Sequence, residues 1–194
     1  MKIIDGGVTA PKGFQAASTA AAIKYQNRKD MAMICSEKPC KAAGTFTTNV
    51  VKAAPVKWDA EIVKNSPYVQ AVVVNAGIAN ACTGEEGMGY CKETSVKAGE
   101  LLGIPADAVL VASTGVIGMQ LPMERITAGV AGMVPLLARG REAAKLAAEA
   151  IMTTDTVSKE AAATVEIGGK TVTIGGISKG SGMIHPNMGT MLCF

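Results

Sequence analysis

Aromatic residues make up only 4% of the chain: one tryptophan, three tyrosines and three phenylalanines. The lysines and arginines are scattered, and a net charge of +3 in that distribution gives neither a phosphate-tracking stripe nor a platform on which bases stack. Nucleic acid is therefore not an expected partner. Long apolar runs are also missing, since none approaches the roughly 18 residues needed to cross a bilayer. Met1-Lys2-Ile3-Ile4-Asp5-Gly6 lacks the basic start and long apolar core of an export signal. No membrane partner is expected, and the location expected is the cytoplasm. There is one histidine, His185, and no CxxC pair, so no metal site is expected. Cys35, Cys40, Cys82, Cys91 and Cys193 are odd in number and read as reduced thiols.

What is present suffices for one ordinary core. The chain has 194 residues, 48% hydrophobic and 18% charged, too little charge for a disordered segment. It stops at Cys193-Phe194 without a turn, charge run or cap, which reads as part of a larger protein. Met31–Cys35 and Gly44–Thr48 read as short strands joined through Pro39-Cys40-Lys41. Gln70–Asn75 and Val109–Ser113 are β-branched runs suited to strands buried on both faces. A helix is expected from Gly89 to Gly103, with Val96, Leu101 and Leu102 on its apolar side. Two amphipathic helices follow, Met123–Ala138 and Arg141–Met152, joined at Gly140. Thr164–Ile174 alternates around Gly168-Gly169 as a hairpin does. This order predicts an α/β fold of mixed α and β layers, with no internal repeat.

Four places offer chemistry. Thr190 follows Gly189, and glycine's conformational freedom lets the Thr190 Oγ approach the Gly189 carbonyl for an N-to-O acyl shift. Hydrolysis of that ester would free an α-amine with a reference pKa of about 7.7 to 8.0, able to act as base for its own hydroxyl. The same dipeptide also suits a plain turn before a strand. Thr114-Gly115 ends a strand and offers either a hydroxyl and an N–H for an oxyanion, or a turn that needs glycine. Asn75–Gly84 follows the strongest strand with small residues, and Cys82 within it reads as a small buried thiol. In Met152–Thr156, threonine and aspartate suit either a cap or a binding role. Lys179 suits either a solvated surface charge or a partner for an acid.

The run Lys179–Leu192 resembles the self-cleavage junction of the ornithine acetyltransferase family, also called bifunctional glutamate N-acetyltransferase. Asn75–Gly84 resembles that family's Asn-Ser-Gly-Asn-Ala-Asn-Ala-Cys-Thr-Gly signature, departing at Ala76 and Ile78. Gly6–Phe14 and Thr48–Val56 extend the similarity, while Gly189 and Cys193 stand where Ala and Gly are more usual. The resemblance implies an N-terminal-nucleophile type of enzyme, with residues 1–194 as the α-chain portion and a cut between Gly189 and Thr190. It implies acetyl transfer from N-acetylornithine to glutamate through acetyl-Thr190, in arginine biosynthesis. Thr114 and Gly115 would hold the oxyanion, and Thr153, Lys179 and Thr190 would contact substrate. A β chain from the same precursor and an α2β2 heterotetramer are implied. So is the absence of a cofactor, with acetyl-CoA as a substrate of some members. The rival readings are a structural half completing another subunit's site, and a self-processing amidase or aminopeptidase in which water takes the acyl group.

Overall fold

The computed structural model describes residues 1–180 and 191–194, so the junction residues Gly189 and Thr190 lie outside the described residues. In chain order the elements are β1 (Lys2–Ile4), β2 (Phe14–Thr19), β3 (Met31–Cys40), α1 (Ala54–Asn65), β4 (Val69–Ile78), α2 (Glu86–Leu102) and β5 (Val109–Val116). Then come α3 (Met123–Met133), α4 (Arg141–Ala150), β6 (Lys159–Ile167), β7 (Lys170–Lys179) and β8 (Leu192–Cys193). One sheet runs β2-β3-β4-β5 and the other β1-β6-β7-β8. All neighbours pair antiparallel except β4 and β5, which are parallel and joined through α2, the long crossover that a parallel pair requires.

The valine run of β4 explains the layering. Val73 joins Met31, Met33 and Val109 in a core shared with Ile126, Val130 and Met133 of α3. Val74 points to the other face, with Ala32, Ile34 and Ala112. There Ala144, Ala147 and Ala148 of α4 have no exposed surface, and Ile177 and Leu192 of the second sheet join the same cluster. Alanine on that helix face permits close approach to the sheet. β4 is thus covered on both faces, as its unbroken apolar run predicts. Among the described residues no helix is long and apolar enough to cross a membrane.

Several elements differ from the sequence expectation. Gly44–Thr48 is not a strand; Thr47 Oγ1 accepts from the Asn49 N–H at 3.2 Å and Asn49 Oδ1 from the Val51 N–H at 3.0 Å, as in side-chain-stabilised turns. β3 continues through Pro39 and Cys40, beyond its pairing with β2, with a register shift against β4 between Cys35 and Cys40. Proline is tolerated there because that stretch donates no regular ladder bond. α2 begins at Glu86, and Val96 and Leu101 are exposed while Leu102 packs against the core; Gly87, Cys91, Thr94, Ser95, Ala98 and Gly99 are its buried positions. Its end is as expected, with Gly103 left-handed at φ 68°. α3 stops at Met133 because Pro135 lacks the N–H that a continuing helix needs, and Ala138 instead bridges to Ala16 of β2. α1 carries no signal singled out in the sequence, although Pro55 sits at its first turn, a favoured place.

α1 protects the open side of β5. Asp59 Oδ1 accepts the Val111 N–H at 3.0 Å, and burial pushes that carboxyl up to about 7 against the opposing effect of the hydrogen bond. With a folded pKa above its unfolded value, Asp59 binds more protons in the folded state between pH 3.8 and about 7. Stability is therefore lost as pH rises through that window, by up to about 1.4 kcal/mol for each pH unit. Asp59→Asn keeps an oxygen acceptor for Val111 and removes the ionisation. It should gain stability relative to the parent as pH increases from 5 to 8, checked by urea denaturation at each pH; parallel curves would contradict the burial of this carboxyl.

Candidate active site

The ends of β5 and β7 and the segment after α4 bring together residues far apart in sequence. Lys179, the last residue of β7, donates from Nζ to Thr114 Oγ1 at 3.1 Å and to Thr153 Oγ1 at 2.7 Å. Thr114 has no exposed surface and Lys179 is 2% exposed, so the bond between them forms away from water, while Thr153 is half-buried. The sequence offered Lys179 as either a surface charge or a partner for an acid, and its burial removes the first. A threonine oxygen that accepts from the ammonium still carries its own proton, which it can donate elsewhere. The lysine thereby polarises both hydroxyls and makes them better donors.

The ammonium is balanced by Asp155, whose Oδ2 lies 3.6 Å from Lys179 Nζ. Burial works to raise the Asp155 pKa. The hydrogen bonds from Lys159 and the Gly180 and Thr153 N–H groups, together with the charge of Lys179, outweigh it and hold the carboxyl well below the usual carboxylate range. Burial and the charge of Lys159 lower the Lys179 pKa, and Asp155 opposes them without cancelling them. Asp155 thus satisfies backbone groups, as a cap does, while holding two ammonium groups. The two threonine positions and Lys179 were legible in the sequence; the role of Asp155 was not. Its signal was there, an aspartate two residues beyond Thr153 with Lys159 four further on.

The neighbouring backbone is equally constrained. Gly115 stands opposite Gly77 in the β4–β5 register, with φ +137° and +113° respectively. A Cβ on Gly115 would overlap the Gly77 carbonyl, so glycine is required by the close approach of two strands. Asn75–Ile78 belongs to β4 itself, where the sequence suggested a loop after the strand. Asn75 Nδ2 donates to the Ile78 carbonyl at 2.8 Å, so that bond uses the backbone of Ile78 and survives its apolar side chain, which packs into the core. Asn80 is buried, donating to the Gly87 carbonyl at 2.8 Å and accepting from Thr83 Oγ1 at 2.7 Å. Cys82 is exposed and left-handed at φ 57°, correcting its reading as a buried thiol. Arg28 Nη2 donates to the Met152 carbonyl at 2.7 Å, tying the loop before β3 to the residue preceding Thr153.

The model of the ArgJ family matches residues 15–194. The chain belongs to the ArgJ family. It is 54% identical to the arginine biosynthesis bifunctional protein ArgJ of Symbiobacterium thermophilum over 196 residues, covering 100% of this chain and 48% of that protein. To the protein of that name from Thermotoga neapolitana it is 53% identical over 185 residues, 95% of this chain and 46% of that protein. The chain thus spans about half the length of the curated relatives it matches. The crystal structure of arginine biosynthesis bifunctional protein ArgJ from Bacillus halodurans superposes with a TM-score of 0.88 at 43% identity, covering 96% of each chain. Ornithine acetyltransferase of Mycobacterium tuberculosis, solved with ornithine, gives 0.87 at 40% identity, covering 95% of this chain and 97% of that one. The mixed α/β layering of this ArgJ-family chain is therefore shared with solved members.

Gly115→Ala should destabilise the protein by about 1 to 3 kcal/mol, because the new methyl must force β4 and β5 apart. Chemical denaturation checks this, and an unchanged midpoint would contradict the close approach of Gly77 and Gly115.

Proposed function

We propose that this chain is the α portion of a self-cleaving enzyme of arginine biosynthesis that transfers acetyl from N-acetylornithine to glutamate. The observation that carries the reading is the meeting of Thr114, Thr153 and Lys179, drawn from three separate segments, beside the strand that follows residue 190. β8 pairs with β7 so that Leu192 stands opposite Lys179 and Cys193 opposite Ser178. The chain just beyond Thr190 is therefore held at the edge of the strand that carries the buried lysine. A cut between Gly189 and Thr190 would leave that pairing intact and make Thr190 a chain start. Solved family chains of about this length, set against relatives twice as long, support a two-chain enzyme. Two αβ pairs then form the heterotetramer, in the cytoplasm, and acetyl-CoA is the alternative acetyl donor.

In this reading Thr190 Oγ attacks the acetyl carbonyl carbon of N-acetylornithine while its own α-amine takes the hydroxyl proton. The carbonyl oxygen becomes an oxyanion, which accepts hydrogen bonds from the Thr114 hydroxyl and the Gly115 N–H. The C–N bond breaks, the proton passes to the leaving nitrogen, and ornithine departs. The amine of glutamate then attacks the acetyl ester, its proton goes to the Thr190 amine, and Thr190 Oγ leaves to give N-acetylglutamate. Lys179 and Thr153 orient the amino-acid portion, the substrate carboxylate displacing a hydroxyl from the ammonium. The ornithine bound by the mycobacterial relative is a product of this reaction.

Thr190→Ala in the full-length protein should remain a single chain on a denaturing gel; two chains would remove Thr190 from cleavage. Thr114→Ala in processed protein should lower kcat by about 10²- to 10³-fold, the usual effect of deleting one oxyanion donor. Unchanged steady-state transfer to glutamate would count against the assignment of Thr114 to the oxyanion.

A further inference from the structure

Asp155 takes no part in the transfer just described, yet its side chain has no exposed surface and ties the segment after α4 to the end of β7. Oδ1 accepts from Lys159 Nζ at 2.7 Å and from the Gly180 N–H at 3.0 Å. Oδ2 accepts from the Thr153 N–H at 3.3 Å and faces Lys179 Nζ at 3.6 Å. We infer that Asp155 is the positioning residue of this enzyme, fixing Lys179 and Thr153 for the substrate carboxylate and anchoring the chain at Gly180 where it enters the cleavage segment. The substrate side of this inference rests on the proposed function; the geometric side does not.

Two features separate this role from fold-keeping. A buried ion pair is a weak source of stability, because the cost of desolvating both charges offsets their attraction. The partners of Asp155 are, moreover, the site itself: the backbone of Thr153, the side chain of Lys179 and the residue directly after it. The second ammonium matters as well. Lys159 shares Oδ1, so one carboxylate holds two cations in place at once. With Asp155 neutral, the two ammonium groups would face each other without a counter-charge, and Lys179 would no longer be held between the two hydroxyls.

The test is Asp155→Asn in the full-length, processed protein. KM for both N-acetylornithine and glutamate should rise about tenfold or more while kcat falls by less than about threefold, the pattern of a lost binding contact shared by ground and transition states. A fall in kcat with KM unmoved, or no change in either, would overturn the assignment. A crystal structure of the same variant gives a readout that needs no substrate. Lys179 Nζ should leave Thr114 Oγ1 and Thr153 Oγ1, and retention of both contacts would overturn the positioning role. If the parent protein transfers no acetyl group at all, the proposed function fails, and the crystal structure still decides the role of Asp155.

Discussion

An ammonium group buried in a protein must be surrounded by acceptors, and the site of this chain is arranged around that requirement. Lys179 has almost no exposed surface, so its charge is tolerable only with Thr114, Thr153 and Asp155 close by. Those three residues come from β5 and from the segment after α4. Satisfying one ammonium therefore fixes three chain segments relative to one another. The same contacts polarise the two hydroxyls that the ammonium meets.

The scaffold delivers those segments through packing. Parallel pairing of β4 with β5 sends both strands toward the same end, where Gly77 and Gly115 approach without side chains. Alanines on α4 let the helix lie close to the first sheet while the second sheet contributes Ile177 and Leu192 to the same core. Because β7 and β8 belong to that second sheet, the shared core carries Lys179 and the strand after residue 190 toward the Thr114 end of β5. Asp30 orders the loop before β3: its two oxygens accept the Ala21 and Ile23 N–H groups, each at 2.7 Å, in the loop that sends Arg28 to Met152.

Legibility in the sequence followed the range of the physics. The valine runs of β4 and β5, the glycine ending α2 and the Gly-Gly turn between β6 and β7 are local signals, and each of these elements is present. Thr114, Gly115, Thr153 and Lys179 were named from motif resemblance, and the structure brings Thr114, Thr153 and Lys179 into direct contact with Gly115 adjoining. Features that depend on distant partners were not legible. The fully buried positions of α2 are mostly small or polar, so of the expected apolar side only Leu102 packs against the core, while Val96 and Leu101 face out. Nothing local in Asp59 shows that it caps Val111, and although Lys159 stands four residues beyond Asp155, nothing local shows that Lys179 joins them. Gly44–Thr48 had strand-like composition and no strand to pair with.

The proposed function turns on one covalent step, the passage of acetyl through Thr190. Intact-mass measurement on the full-length, self-processed protein tests it most directly, after incubation with N-acetylornithine alone and then with glutamate. The account predicts one acetyl group on the chain that begins at Thr190, discharged as N-acetylglutamate when glutamate is added. Absence of the adduct, or discharge by water at the same rate with and without glutamate, would contradict it.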